Sequence, residues 1–290
     1  MITTLTANLL RLLPNQAEKK PLVEFQPVQT KTDILIDNYE LSTAISCYYP
    51  IGAVERRPVY LNFHGGAFIM HSKEMDDPYC RMLANETKCV VVNVDYPKAP
   101  EYPFPIPVQQ SYDILNWIKH HAEELRIDPE KIIIGGQSSG ANLAAVLCML
   151  LKERHEPQPL LQVLSCPMLD FSTPHAEKPE PDPWRSKYPQ VANFLNHCYV
   201  PESNQAAHPY ASPVLAERLE GLAPALIIAA EHDAFRPEAE KYTNKLIKSG
   251  VQVQLELFEN CTHAFHHLGP KDKAQQAWRL IAESLIKAVQ

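Results

Sequence analysis

Two rhythms of apolar and polar residues divide the chain. Residues 1–20 set Leu5, Leu9, Leu12 and Leu13 at helical spacing and predict an amphipathic helix. Residues 22–28 and 34–49 alternate, which predicts edge strands in antiparallel pairing. Beyond them the pattern changes to short unbroken apolar runs at 59–63, 89–94, 131–134, 160–164, 225–229 and 251–258. Longer amphipathic stretches at 108–125, 138–153, 236–249 and 271–289 separate these runs and predict helices. Continuous apolar strands alternating with helices are the pattern of a parallel sheet covered on both faces. The predicted fold class is therefore α/β, a mostly parallel doubly wound sheet in one domain over 1–290. Residues 171–212 interrupt the rhythm; they are rich in Pro, His, Glu and Ser, and only 191–199 reads as a helix. This insertion and the N-terminal arm, at about 1–20 and 171–212, are expected to form a small cap. The cap would lie over the C-terminal ends of the strands, where such sheets bind ligands.

Composition narrows the function. Hydrophobic residues make up 45% of the chain and charged residues 21%, as in ordinary globular proteins. The net charge is -7 and no basic run exceeds Lys19-Lys20, which argues against a nucleic-acid partner. No apolar run reaches the length of a membrane span. The first residues carry neither a basic n-region nor a small-residue cleavage site, so no signal peptide is read. Seven cysteines, without a C-x-x-C pair, fit reduced thiols buried in the core of a cytoplasmic protein. No His, Cys and Asp cluster has metal-ligand spacing, and no cofactor is expected. Glycine is scarce, at nine, yet Gly65, Gly66, Gly135, Gly136 and Gly140 fall in two short motifs. Such clustering marks backbone that a side chain would obstruct.

Those two motifs carry the candidate chemistry. Gly136-Gln137-Ser138-Ser139-Gly140 matches G-x-S-x-G and stands between a predicted strand and a predicted helix. A sharp turn there pushes the serine oxygen out over the sheet edge, at the positive end of the helix. The plainer alternative is a glycine-rich turn with Ser138 as helix N-cap. His64-Gly65-Gly66-Ala67 follows the strand at 59–63 and supplies a loop of backbone N–H donors. Gly65 and Gly66, with the N–H of Ser139, would form an oxyanion hole for acyl transfer. His64 is expected to be a buried histidine that pins this loop.

With these motifs the chain resembles the hormone-sensitive-lipase-like esterases, the H-G-G-G group of the α/β-hydrolase superfamily. The segment Asp95-Tyr96-Pro97-Lys98-Ala99-Pro100-Glu101-Tyr102-Pro103-Phe104-Pro105 is similar to that group's D-Y-R-L-A-P-E-x-P-F-P. Pro209-Tyr210-Ala211-Ser212-Pro213 and Glu231-His232-Asp233 are similar to its later landmarks. The resemblance implies an α/β-hydrolase fold with a cap, carboxylester hydrolysis and no cofactor. It leaves a homodimer open, since relatives often dimerise, although no segment carries a dimerisation signature. There are departures. G-D-S-A-G reads G-Q-S-S-G here, so Gln137 replaces an acid; the third glycine of the oxyanion loop is Ala67; H-G-F reads His263-Ala264-Phe265; and D-P-L-R-D-E reads Asp233-Ala234-Phe235-Arg236-Pro237-Glu238.

α/β-Hydrolases present nucleophile, acid and histidine in that order along the chain. After Ser138 the order is met by Asp233, beyond the strand at 225–229, and His263, beyond the strand at 251–258. His263 is the expected base and Asp233 its orienting acid. Asp170 is a rival acid one strand too early, and Glu231 and Glu238 are read as solvated or supporting. His266 and His267 are read as a surface loop pair, and His120, His121, His155 and His175 as solvent-facing. Trp184, Tyr188, Phe194, Tyr199 and Tyr210 are either an aromatic wall of the substrate pocket or packing between cap and core. The expected reaction is hydrolysis of small to medium acyl esters. Two other readings remain compatible: amide or formamide hydrolysis by the same triad, and a non-catalytic binder of small ligands on the esterase scaffold.

Overall fold

The valine and isoleucine runs decide the centre of the molecule, because each feeds two cores at once. A computed structural model describes residues 2–12, 20–38, 41–52 and 56–290. In chain order the principal elements are α1 (Ile2–Arg11), β1 (Thr30–Asn38), β2 (Leu41–Tyr49), β3 (Arg57–Phe63), α2 (Asp77–Thr87), β4 (Val90–Asp95), α3 (Ile106–His120), β5 (Ile127–Gln137) and α4 (Ser139–Glu153). There follow β6 (Gln162–Ser165), α5 (Pro183–Lys187), α6 (Pro189–Tyr199), β7 (Ala225–His232), α7 (Arg236–Lys248), β8 (Val253–Thr262), α8 (Phe265–Leu268) and α9 (Lys271–Val289). On β3, Val59, Leu61 and Phe63 enter one core while Tyr60 enters the other. Val90, Val92 and Val94 against Val91, and Ile132 and Ile134 against Ile133, do the same on β4 and β5. Strands apolar on both sides need helices on both sides. Residues of α3, α4 and α7 complete the first core, and residues of α2 and α9 complete the second.

The eight strands form one sheet in the order β1-β2-β4-β3-β5-β6-β7-β8. β2 pairs antiparallel with β1 and with β4, and the remaining pairs are parallel. The chain winds from β3 to β4 on one side and then continues through β5 on the other. The strand order therefore reverses beside β3, and open sheets of this kind bind ligands outside the carboxyl ends at such a reversal. The loops leaving β3 and β5 carry the two glycine motifs to that place.

Several boundaries differ from the sequence reading. Residues 22–28 are not a strand; β1 begins at Thr30, and the alternating stretch 34–49 contains the β1–β2 hairpin. The first helix ends at Arg11, and Leu13 lies outside the described residues. Helix α3 ends at His120, short of 125, and β5 starts earlier than 131. Helix α2 escaped the pattern because Tyr79, Cys80, Met82 and Leu83 make only a narrow buried stripe among polar residues. Among the described residues no helix is long and apolar enough to cross a membrane. All seven cysteines are unpaired and buried.

Candidate active site

The turn between β5 and α4 is built by exclusion of side chains. A Cβ on Gly136 would meet the Phe63 carbonyl oxygen and the Gly140 backbone; one on Gly140 would meet the carbonyl oxygens of Phe63 and His64. Both positions must be glycine for β3 and the turn to lie this close. Ser138 between them has a φ of 53°, a left-handed conformation costly for a serine and typical of strained functional turns. Its N–H donates to the Ser165 carbonyl at 2.9 Å, which ties the turn to β6.

Two further loops at the same sheet edge reach this serine. Ser138 Oγ stands 3.0 Å from His263 Nε2. His263 Nδ1 donates to Asp233 Oδ2 at 2.8 Å, and the Phe235 N–H donates to Asp233 Oδ1 at 2.9 Å. The Asp233 side chain is buried and the imidazole is mostly buried. Ser138, His263 and Asp233 are thus brought into one hydrogen-bonded line from three separate strand ends. The residue after the histidine, Ala264, has a φ of 60°, which explains why the esterase group carries glycine there.

The loop after β3 is shaped in the same way. A Cβ on Gly65 would lie 3.3 Å from the Gln137 carbonyl oxygen, so the loop rests directly on the Ser138 turn. Gly66 has a φ of 137°, and a Cβ there would meet Met70. Ala67, where relatives have a third glycine, keeps a φ of 52°. The N–H groups of Gly65 and Gly66 meet no acceptor among the described residues. His64 is fully buried; its Nδ1 lies 2.6 Å from the Gly65 carbonyl oxygen, and its ring stacks on Tyr96 at 4.4 Å. Its Nε2 faces Asp95 at 3.3 Å. Burial alone would raise the Asp95 carboxyl, but His64 and the Lys98 ammonium hold it well below the usual carboxylate range.

The rival residues lie elsewhere. Asp170 accepts the N–H groups of Ser172 and Thr173 at 2.9 and 3.0 Å, a local loop cap. Glu231 accepts from the Asn260 N–H at 2.7 Å. Glu238 is buried rather than solvated; it accepts from the Leu169 N–H at 3.0 Å and pairs with Lys178 at 2.9 Å. Burial pushes its carboxyl up to about 7. The reading of His266 and His267 as a surface pair is wrong: both are buried, because α8 turns them inward against Trp278 of α9. His175 is also buried and pairs with Glu180 at 3.1 Å, whereas His120 and His155 are exposed. The aromatic residues of the insertion divide. Tyr199 stacks on Phe68 at 3.5 Å within the core, while Trp184 and Tyr188 are 58% and 42% exposed.

Sequence reasoning also missed a neighbour of Asp233. Cys166 follows β6 and is buried with a φ of 43°. Its sulfur, an Asp233 oxygen and a His263 nitrogen all lie within 4.8 Å of one another. Burial and the Asp233 charge push this thiol up, so it stays protonated and faces the carboxylate as a donor. Only its position just beyond an apolar run, level with Ser138, hinted at the site.

A doubly wound sheet with a serine on a strained strand-to-helix turn and a histidine within reach of it is the arrangement of the α/β-hydrolases. The α/β hydrolase fold family matches residues 60–267. An arylesterase of Saccharolobus solfataricus is 31% identical over 278 residues, which cover 94% of this chain and 87% of that protein. The carboxylesterase NlhH of Mycobacterium tuberculosis is 31% identical over 226 residues, 76% of this chain and 70% of that one. Among solved structures, an esterase of Pyrobaculum calidifontis superposes with a TM-score of 0.88 at 32% identity, over 98% of this chain and 94% of that chain. The chain belongs to the hormone-sensitive-lipase-like esterase group of the α/β-hydrolase superfamily and is a carboxylesterase. Ester hydrolysis thereby displaces the reading as a non-catalytic binder.

Proposed function

We propose that the chain hydrolyses small to medium acyl esters through an acyl-enzyme on Ser138. The observation that carries this reading is the line from Ser138 Oγ to His263 Nε2, 3.0 Å, and from His263 Nδ1 to Asp233 Oδ2, 2.8 Å. Ser138 Oγ attacks the ester carbonyl carbon as His263 Nε2 takes its proton. Negative charge collects on the carbonyl oxygen, where the N–H groups of Gly65, Gly66 and Ser139 act as donors. Asp233 holds the imidazole tautomer and stabilises the imidazolium. The intermediate collapses, the C–O bond to the alcohol breaks, and the alcohol leaves with the proton from His263. Water then attacks the acyl carbon with His263 as base, the acid departs, and the proton returns to Oγ.

The N-terminal arm and the insertion at 171–212 act as the cap in this reading. Arg11 of α1 donates to the Ile69 and Ala99 carbonyl oxygens at 3.0 and 2.7 Å and pairs with Glu101 at 2.6 Å. Phe68, Phe171 and Tyr199 form a buried aromatic group beside the loop of Gly65 and Gly66, and the short, proline-rich insertion supports a preference for short acyl chains. Seven unpaired thiols fit a cytoplasmic location.

The test is a series of p-nitrophenyl esters of increasing acyl length, hydrolysed by the native protein and by Ser138→Ala. Native protein is expected to turn over acetate and butyrate best, and Ser138→Ala to lose at least about a thousandfold in kcat. Equal rates in the two proteins would sink the assignment. Rates rising toward long-chain emulsions would sink the acyl preference.

A further inference from the structure

We propose that Asp76 is a positioning residue that links the His263 loop to the Ser138 turn through Asn62 and Gln137. The proposal rests on the triad assigned above. Asp76 precedes α2, far from both motifs in sequence, and its carboxylate is fully buried. Asp76 Oδ1 accepts from His267 Nε2 at 2.8 Å. Asp76 Oδ2 accepts from Asn62 Nδ2 at 2.7 Å. Asn62 Oδ1 in turn accepts from Gln137 Nε2 at 3.1 Å. His267 lies four residues after His263, and Gln137 is the residue before Ser138. One buried relay therefore joins the two loops whose separation sets the contact between nucleophile and base.

The anion fixes the polarity of the whole relay. A carboxylate only accepts, so Asn62 must turn its amide nitrogen toward Asp76 and its oxygen toward Gln137. Asn62 Nδ2 also donates to Asn93 Oδ1 at 3.0 Å, and Asn93 Nδ2 donates to the Lys73 carbonyl at 2.7 Å, which holds that orientation from the side. Position 137 must then supply a donor. An ionised acid there, as in the G-D-S-A-G of the esterase group, would set oxygen against oxygen inside the core. This accounts for Gln137. Burial alone would raise the Asp76 carboxyl, but His267 and Asn62 hold it below its ordinary value, so it keeps its charge. His64 and His71 also lie within electrostatic reach of this carboxylate.

Four variants test the relay, with kcat, KM and thermal unfolding measured for each. Asp76→Asn is isosteric but must present a donor to one of two donors, so one end of the relay breaks. Gln137→Leu breaks the other end. Each is expected to lower kcat about tenfold, the scale of leaving a buried hydrogen-bonding group unpaired, with KM within about twofold of native. The double variant is expected to lose no more than the worse single variant, because one relay is broken either way. Multiplying losses, or unchanged kcat in both single variants, would overturn the proposal. Gln137→Glu supplies a donor only when protonated, so its rate should fall with rising pH along a limb that the native protein lacks. If Asp76→Asn does not fold, this limb decides: its presence supports the relay and its absence refutes it. Ser138→Ala separates the two readings. If it abolishes hydrolysis while the relay variants keep native kcat, the relay alone fails; if it keeps activity, the triad fails first.

Discussion

The turn at Ser138 and the segment from 171 to 212 border the same edge of the sheet, yet they are held in different ways. The turn is fixed by backbone packed against backbone, with Gly136 and Gly140 pressed on the carbonyl end of β3. The segment is fixed mainly by side chains, Tyr199 on Phe68, Lys178 on Glu238, and Asn142 of α4 donating to the Ala211 carbonyl at 2.9 Å, with a backbone bond from the Phe104 N–H to the Tyr199 carbonyl at 2.7 Å. Between these anchors it exposes Trp184 and Tyr188. Close backbone contact tolerates no substitution, which suits groups that must meet within tenths of an ångström. Side-chain anchors tolerate more changes than backbone contacts do. The Ser138 turn is therefore held more rigidly than the segment beside it.

The contrast can be broken most severely at Gly140. Gly140→Ala drives a methyl group into the carbonyl oxygens of Phe63 and His64. It should destabilise the protein by about 3 kcal/mol or more and abolish esterase activity, as read by urea unfolding and ester turnover. A folded, active Gly140→Ala protein would show that the turn is looser than described.

The anchor at Glu238 should respond to pH instead. Its folded carboxyl is raised to about 7 from an ordinary 4.5, so the folded state binds the proton more tightly than the unfolded chain does. Stability should then fall as pH rises from about 4.5 through 7, and Glu238→Gln should flatten that slope in thermal unfolding. An unchanged slope would locate the titration elsewhere.

Ala67 should show a smaller effect of the opposite sign. Its φ of 52° costs an alanine what glycine avoids, so Ala67→Gly should stabilise by up to about 1 kcal/mol in urea unfolding. A destabilised variant would mean that the methyl group packs usefully. Trp184→Ala should matter least to the fold, shifting stability by less than about 0.5 kcal/mol. It should still change the ratio of butyrate to acetate hydrolysis if the exposed ring meets substrate; a constant ratio would make the ring incidental.

How far the sequence could be read follows the same division. The strands were legible because runs such as Val90-Val91-Val92 fit only a sheet buried on both faces. The two glycine motifs were legible because glycine is scarce elsewhere in the chain. Helix α2 was not, since its buried stripe is too narrow to stand out from its polar residues. His266 and His267 look like surface polar residues because nothing local to them reveals Trp278 or Asp76. Cys166 looks like core, and only the meeting of β6 with the loops after β7 and β8 sets it beside Asp233.

The amino-acid pattern already marks which residues are candidates for chemistry and the order in which the chain presents them. Short-range patterns carry that information, since a strand, a sharp turn and a helix start are set by neighbours within a few residues. Which of those groups meet is set by the packing of distant segments. His263 reaches Ser138 across 125 positions, and Asp76 reaches His267 across 191. Contacts of that span arise when separate strands align their ends in one sheet, and the buried charge at Asp76 is tolerable only where the fold brings His267 and Asn62 to it.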